Sequence, residues 1–247
     1  MTLSYCQFKT DNASLEYIEA GHGSVVLLLH GLGYRGRTYK NIIDQLSQSY
    51  HVYAPSLHFS VRGQSISSFE DYAALLREFI QTKHLKHITL IGHSLGGGVA
   101  MRLAESNEEL SRLILIGSIG LPMPYSFSQL LYLLITKTWH ELKYKKQLST
   151  LVRLVWDFSL FTVRSLPQFS RTEKAIADIT SRELIQFHKI QLPTFLLWGK
   201  HDEFFPLAYA EQLQAKLFGS KLTVVEGNHD LMLFRCKEFG ELVDGCI

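Results

Sequence analysis

Cysteine is scarce in this chain: Cys6, Cys236 and Cys246 are the only three, and no C-x-x-C spacing occurs. That argues against a disulfide framework and against a zinc site, so reduced thiols are expected. An excess of charge is also lacking, since 25 Lys and Arg against 23 Asp and Glu leave a formal net charge of +2. With no Lys/Arg-rich block and no aromatic-interleaved basic stripe, a nucleic-acid partner is not expected. No apolar run approaches the ~20 residues that span a bilayer. Residues 1–12 lack a basic start followed by an apolar stretch, so no secretory signal is expected and the cytoplasm is the default location. Asn12-Ala13-Ser14 then reads as an ordinary turn rather than a glycosylation acceptor. Internal repeats and low-complexity segments are absent too.

What is present is a chain of 247 residues, 46% hydrophobic, long enough to bury one large core. Short apolar runs at 25–29, 51–54, 88–91, 113–116, 194–198 and 222–225 read as strands buried on both faces of a parallel sheet. Between them Tyr39, Ile42, Ile43 and Leu46 fall at helical spacing, as do Tyr72, Leu75, Leu76, Phe79 and Ile80. This alternation predicts an α/β sheet with helices on both sides. Two earlier runs, 3–10 and 15–20, are joined by the polar Asp11-Asn12 and predict an antiparallel edge.

The rhythm breaks between Leu121 and Leu192, where no strand pattern interrupts a helix-like region opened by Pro122 and Pro124 and closed by Pro193. One domain with an insertion is expected: a core of residues 1–120 and 193–247, interrupted by a helical insertion at 121–192. In the insertion Leu148, Leu151, Val152 and Val155 share a helical face. Leu130, Leu131, Leu133 and Leu134 form a more apolar patch that either packs the insertion onto the sheet or lines a pocket. Ten Lys/Arg against five Asp/Glu make the insertion basic; a solvated face is expected, with contact to a membrane surface as the alternative.

Gly92-His93-Ser94-Leu95-Gly96 follows the run at 88–91 and precedes a helix-like stretch at 97–105. A G-x-S-x-G turn bends so sharply that the serine backbone is strained, and only glycine tolerates the approach of strand and helix. Such a serine sits at a helix N-terminus, where orphan N–H groups favour developing negative charge. A serine hydroxyl is a poor nucleophile unless a base takes its proton and a third group orients the base. In an open parallel sheet those partners come from loops after strands. His229, after the run at 222–225, and Asp202, after 194–198, occupy such loops. Taken singly, they read equally well as a loop histidine and a helix cap.

With these residues in view, the chain resembles the α/β-hydrolase superfamily over nearly its whole length. The resemblance rests on His30-Gly31-Leu32-Gly33 after an early strand, Gly92-His93-Ser94-Leu95-Gly96-Gly97, Gly199-Lys200-His201-Asp202 and Gly227-Asn228-His229. Serine, acid, then histidine is that family's chain order. It implies Ser94 as nucleophile, His229 as general base, Asp202 as the carboxylate that holds the imidazole, the Leu32 and Leu95 backbone N–H groups as an oxyanion hole, and residues 121–192 as the family's helical cap or lid. Many members carry an Asp-x-x-Gly-x-Gly-x-Ser loop, of which residues 56–65 keep only Gly63-Gln64-Ser65.

Other chemistries fit less well. Gly31-Leu32-Gly33-Tyr34-Arg35-Gly36 formally matches G-x-G-x-x-G, yet Ala54-Pro55-Ser56 offers no acidic residue where a dinucleotide ribose needs one. His140-Glu141 begins an H-E-x-x-H that Tyr144 does not complete, and no phosphate loop follows any strand. No cofactor and no metal are therefore expected. The reading is a serine hydrolase of a small to medium, largely apolar carboxylic ester, acting through an acyl-enzyme. Two alternatives remain: a carbon–carbon bond hydrolase on a diketone-type substrate, and a ligand-binding protein on the same scaffold with negligible turnover.

Overall fold

The computed structural model describes residues 3–9, 14–57, 60–61, 64–65, 68–106, 108–122, 125, 129, 132–133, 152–157, 159–160 and 185–247. Eight strands build one sheet in the order β1-β2-β4-β3-β7-β8-β9-β10. These are β1 (Ser4–Lys9), β2 (Ser14–Ala20), β3 (Val25–Leu29), β4 (His51–Pro55), β7 (Ile88–His93), β8 (Leu110–Ile116), β9 (Thr194–Gly199) and β10 (Lys221–Val225). The two-residue pair β5 (Ser60–Val61) and β6 (Gln64–Ser65) forms a separate antiparallel ladder. The expected antiparallel edge is present: β1 pairs with β2, β2 pairs antiparallel with β4, and every ladder from β4 to β10 is parallel.

Alternation along the central strands divides the interior into two cores. Leu27, Leu29, Leu90, Leu113, Leu115, Leu196 and Trp198 point to one face. Val26, Leu28, Ile91, Ile114, Ile116 and Leu197 point to the other. Helices α2 (Phe69–Thr82) and α3 (Leu95–Ala104) cover the first face together with α4 (Leu207–Lys216). The second is covered by α1 (Lys40–Leu46), α5 (Leu231–Phe234) and α6 (Cys236–Asp244). Helix α2 starts cleanly because Ser68 Oγ accepts the Asp71 amide at 3.1 Å while Asp71 Oδ2 accepts the Ser68 amide at 3.0 Å. Such a reciprocal cap satisfies two donors that would otherwise lack partners.

Three expectations are corrected. β10 is not buried on both faces: among the described residues it pairs only with β9, and Lys221, Thr223 and Val224 are exposed, as befits the outermost strand of the described sheet. Helix α3 begins at Leu95, two residues earlier than its pattern suggests, because the chain turns into the helix at Ser94. Within the helical residues 152–157, Val152 is exposed and Leu154 is buried, so the core-facing side differs from the one carrying Val152 and Val155. The remaining members of that predicted stripe, Leu148 and Leu151, lie outside the described residues, as do Leu130, Leu131 and Leu134 and most of the insertion. Leu133 is half-buried against the first core.

The start of the insertion is pinned by one side chain. Tyr209 Oη on α4 accepts the amides of Gly120 and Leu121 at 3.1 and 2.8 Å and donates to the Leu121 carbonyl at 2.7 Å. Among the described residues no helix is long and apolar enough to cross a membrane.

Candidate active site

Parallel strands share one C-terminal end, so the loops leaving β3, β7, β8, β9 and β10 converge there. Ser94 stands at the turn from β7 into α3 with φ +53° and ψ −120°, a left-handed backbone that an L residue adopts only under strain of ~1–3 kcal/mol. The turn is held by its own hydrogen bonds: the Ser94 amide donates to the Ile116 carbonyl at 3.0 Å, and the Ser94 carbonyl accepts from Gly97 and Ile119 at 3.0 and 3.1 Å. Glycine is required beside it. A Cβ on Gly96 would lie 2.5 Å from the Leu29 carbonyl oxygen, so the start of α3 rests directly on the end of β3.

Asp202 and His229 meet as their positions suggest. His229 Nδ1 lies 2.8 Å from Asp202 Oδ2, and both residues are buried. The other carboxylate oxygen, Oδ1, accepts the amides of Phe204 and Phe205 at 2.9 and 2.8 Å. Burial alone would raise the Asp202 carboxyl pKa. The charge and hydrogen bond of His229, with the Phe205 and Phe204 amides, outweigh that and hold it below the usual carboxylate range. The imidazole is packed against Phe204 and Phe205, with ring centroids at 4.8 and 5.5 Å. An ionised Asp202 accepts, so Nδ1 carries a proton, and in the neutral imidazole Nε2 then keeps its lone pair.

Two contacts bring this pair beside the elbow. The His93 ring, immediately before Ser94, lies 4.9 Å from the His229 ring, and His93 Nε2 is 3.1 Å from the His229 carbonyl. Gly117, immediately after β8 with φ +44°, is the second: a Cβ there would stand 2.8 Å from Asp202 Oδ2 and 3.0 Å from His229 Nδ1. The loop after β3 closes the remaining side. A Cβ on Gly31 would lie 3.2 Å from Ser94 Cβ, which puts the turn through Leu32 against the elbow. Leu95 is the first residue of α3, where amides lack intrahelical acceptors.

Several residues in this region carry roles that sequence patterns did not assign. Tyr39, counted among the apolar positions of a helix, is the last residue of a 3-10 turn, Gly36–Tyr39, with its hydroxyl aimed inward. It accepts the Gly31 amide at 3.0 Å and lies 2.5 Å from His93 Nδ1. His30 Nε2 accepts the Leu57 amide at 2.7 Å, which places its proton on Nδ1, 2.8 Å from the Gly31 carbonyl. Glu203 Oε2 accepts the His229 amide at 3.2 Å, and Asp230 Oδ2 accepts the Tyr34 hydroxyl at 3.1 Å. A buried polar partner behind an apolar-looking aromatic leaves no mark in hydrophobic periodicity. His93 and Asp230 were legible only as neighbours of Ser94 and His229.

His93, His229 and Asp230 offer ligand atoms within 4.8 Å of one another, a set that suits a cation by type and spacing. Both His93 nitrogens already have partners, Tyr39 and the His229 carbonyl. Coordination by His93 would break one of these contacts.

The sheet order, the strained serine and the buried Asp–His pair define a hydrolase scaffold, and the chain belongs to the alpha/beta hydrolase family, whose profile matches residues 26–242. It is 28% identical over 244 residues to an uncharacterized protein of Mycobacterium tuberculosis, covering 85% of this chain and 70% of that one. A monoacylglycerol lipase of Xenopus laevis is 25% identical over 254 residues, covering 90% and 75%. An esterase from Exiguobacterium antarcticum has the same fold, with a TM-score of 0.76, 22% identity and 99% of each chain covered.

Proposed function

We propose that this protein is a serine hydrolase that cleaves a small to medium, largely apolar carboxylic ester through an acyl-enzyme, with Ser94, His229 and Asp202 as its triad. The observation that carries the reading is the 2.8 Å contact from His229 Nδ1 to a buried Asp202, in a loop lying against the residue before a strained Ser94. The lipase name of the Xenopus laevis relative supports an ester substrate.

In this scheme His229 Nε2 takes the Ser94 proton as Oγ attacks the ester carbonyl, while Asp202 holds the ring in that tautomer and stabilises the imidazolium. The Leu32 and Leu95 amides receive the oxyanion, where preorganised donors contribute ~3–4 kcal/mol each to lowering the barrier. Collapse expels the alcohol, which takes the proton from His229. Water then attacks the acyl-enzyme with His229 again as base, releasing the acid and free Ser94. The segment 121–192 serves as the cap over substrate access, and its leucine patch either packs it onto the sheet or lines the acyl pocket. The scheme needs no cofactor or metal.

A series of nitrophenyl esters of rising acyl length, run beside fluorophosphonate labelling, tests this. Saturable ester turnover with labelling at Ser94 is expected. Turnover of a diketone-type substrate in preference to every ester would reassign the bond cleaved, and ligand binding without turnover of either would reduce the protein to a binding role.

A further inference from the structure

Three loops meet at this site, and one buried hydroxyl joins them. Tyr39 Oη accepts the Gly31 amide at 3.0 Å, which leaves its own hydrogen for His93 Nδ1, 2.5 Å away. With Nδ1 accepting, the His93 proton sits on Nε2 and is donated to the His229 carbonyl at 3.1 Å. Because the His229 carbonyl can only accept, a neutral His93 donates from Nε2 and accepts at Nδ1, and the bonds run Gly31 N–H to Tyr39, Tyr39 O–H to His93, His93 N–H to His229. Tyr39 and His93 are both buried. Burial also pushes the Tyr39 phenol pKa well above its ordinary value, against the lowering effect of the Gly31 amide, so the hydroxyl keeps the hydrogen it donates.

We propose that Tyr39 is a positioning residue for the oxyanion loop: its hydroxyl sets the spacing between the turn at 31–33 and the elbow at Ser94, and through His93 it ties both to the loop that carries His229. The inference rests on the triad reading above and adds to it a residue that touches no reacting atom. Tyr39 is suited to the task because it holds the His30–Gly31 peptide plane, the one directly before the plane that carries the Leu32 N–H. Oxyanion donors act only within a few tenths of an ångström of the position that the developing charge will occupy. The hydroxyl holds this plane in a buried setting, where a misplaced donor has no water to replace it.

The test compares oxygen esters with thionoesters in wild-type protein, Tyr39→Phe, Ser94→Ala and Tyr72→Phe, the last a buried tyrosine on α2 outside the site. A thiono sulfur is large and a weak acceptor, so it gains little from well-placed donors, and the ester-to-thionoester ratio of kcat/KM reports on the oxyanion hole. Tyr39→Phe is expected to lower kcat for the oxygen ester about 30-fold with KM within about threefold, and to lower the ratio about tenfold. Tyr72→Phe is expected to leave the ratio unchanged. A ratio in Tyr39→Phe equal to wild type, whatever the loss of overall rate, overturns the proposal, because a purely structural role lowers both substrates alike. Should Tyr39→Phe fail to fold, His93→Asn and His93→Leu decide. Asn keeps an acceptor near Nδ1 and is expected to retain the ratio, Leu is expected to lose it, and equal ratios overturn the inference. Turnover surviving in Ser94→Ala would instead remove the triad reading, so the two failures are distinguishable.

Discussion

Arg37 and Asp157, 120 residues apart in the chain, are joined by a hydrogen bond of 2.8 Å from Nε to Oδ1. The same carboxylate accepts the Thr38 hydroxyl, and its side chain is fully shielded from solvent. The helical residues 152–157 are thereby fastened to the 3-10 turn that ends in Tyr39. Asp157→Ala strands three donors, two on the half-buried Arg37 guanidinium and one on the buried Thr38 hydroxyl, so a loss of about 2–4 kcal/mol is expected. Calorimetry checks this as a fall in Tm of roughly 4–16 °C; a shift under 2 °C would mean that the contact contributes little.

Ser94→Ala removes the only hydroxyl proposed to attack. Turnover and fluorophosphonate labelling are expected to disappear, with kcat lowered on the order of 10⁴ to 10⁶. The near- and far-ultraviolet circular dichroism should match wild type. Near-native turnover by this variant would refute the assignment.

Asp202→Asn is expected to cripple turnover because an amide does not hold the His229 tautomer. A pH dependence of stability accompanies it. The folded Asp202 carboxyl is depressed relative to the unfolded chain. It therefore stabilises the fold above the unfolded carboxylate pKa of ~3.9, and that contribution is lost as pH falls through the lower folded value. Denaturant midpoints of wild type and Asp202→Asn should differ most at neutral pH and converge in acid. If Asp202→Asn keeps full activity while Glu203→Gln or Asp230→Asn loses it, the acid has been misassigned.

Gly117→Ala places a methyl between the acid and the base, 2.8 Å from Asp202 Oδ2 and 3.0 Å from His229 Nδ1, at a φ of +44°. The Asp–His contact must open, so kcat is expected to fall at least tenfold with KM little changed. Loss of the downfield proton resonance of the His229–Asp202 hydrogen bond should accompany it. Full retention of both would show that the loop yields without moving the pair.

Leu133 is half-buried against the first core. If it also borders an acyl pocket, Leu133→Ala should change the kcat/KM ratio of long to short acyl esters by about 1–3 kcal/mol. Parallel loss on all lengths with a lower Tm would make it a packing residue only.

Much of the fold was legible because buried parallel strands and amphipathic helices leave strong periodic patterns. The central strands 25–29, 88–91 and 194–198 were found nearly at their observed limits. β10 misled because its apolar content resembles that of the central strands, and sequence does not state which strand is outermost. The Asp202–His229 contact followed from position together with the family resemblance, since both residues sit just beyond the ends of adjacent parallel strands. Tyr39, His93 and Asp230 were not legible in the same way. Their partners lie 8 to 196 residues away, and a buried hydroxyl or imidazole looks like any other core or loop residue until those partners are known.

The backbone at Ser94, at φ +53° and ψ −120°, opposes robustness to function at a single codon. Glycine would occupy that conformation with little penalty, and relief of ~1–3 kcal/mol of strain exceeds the ~0.5–1 kcal/mol entropic disadvantage of glycine. A library screened for heat resistance alone would therefore enrich Ser94→Gly, the very replacement that deletes the proposed nucleophile. Thermal selection on this scaffold must be coupled to an ester-turnover screen, or it will breed well-folded proteins that no longer react.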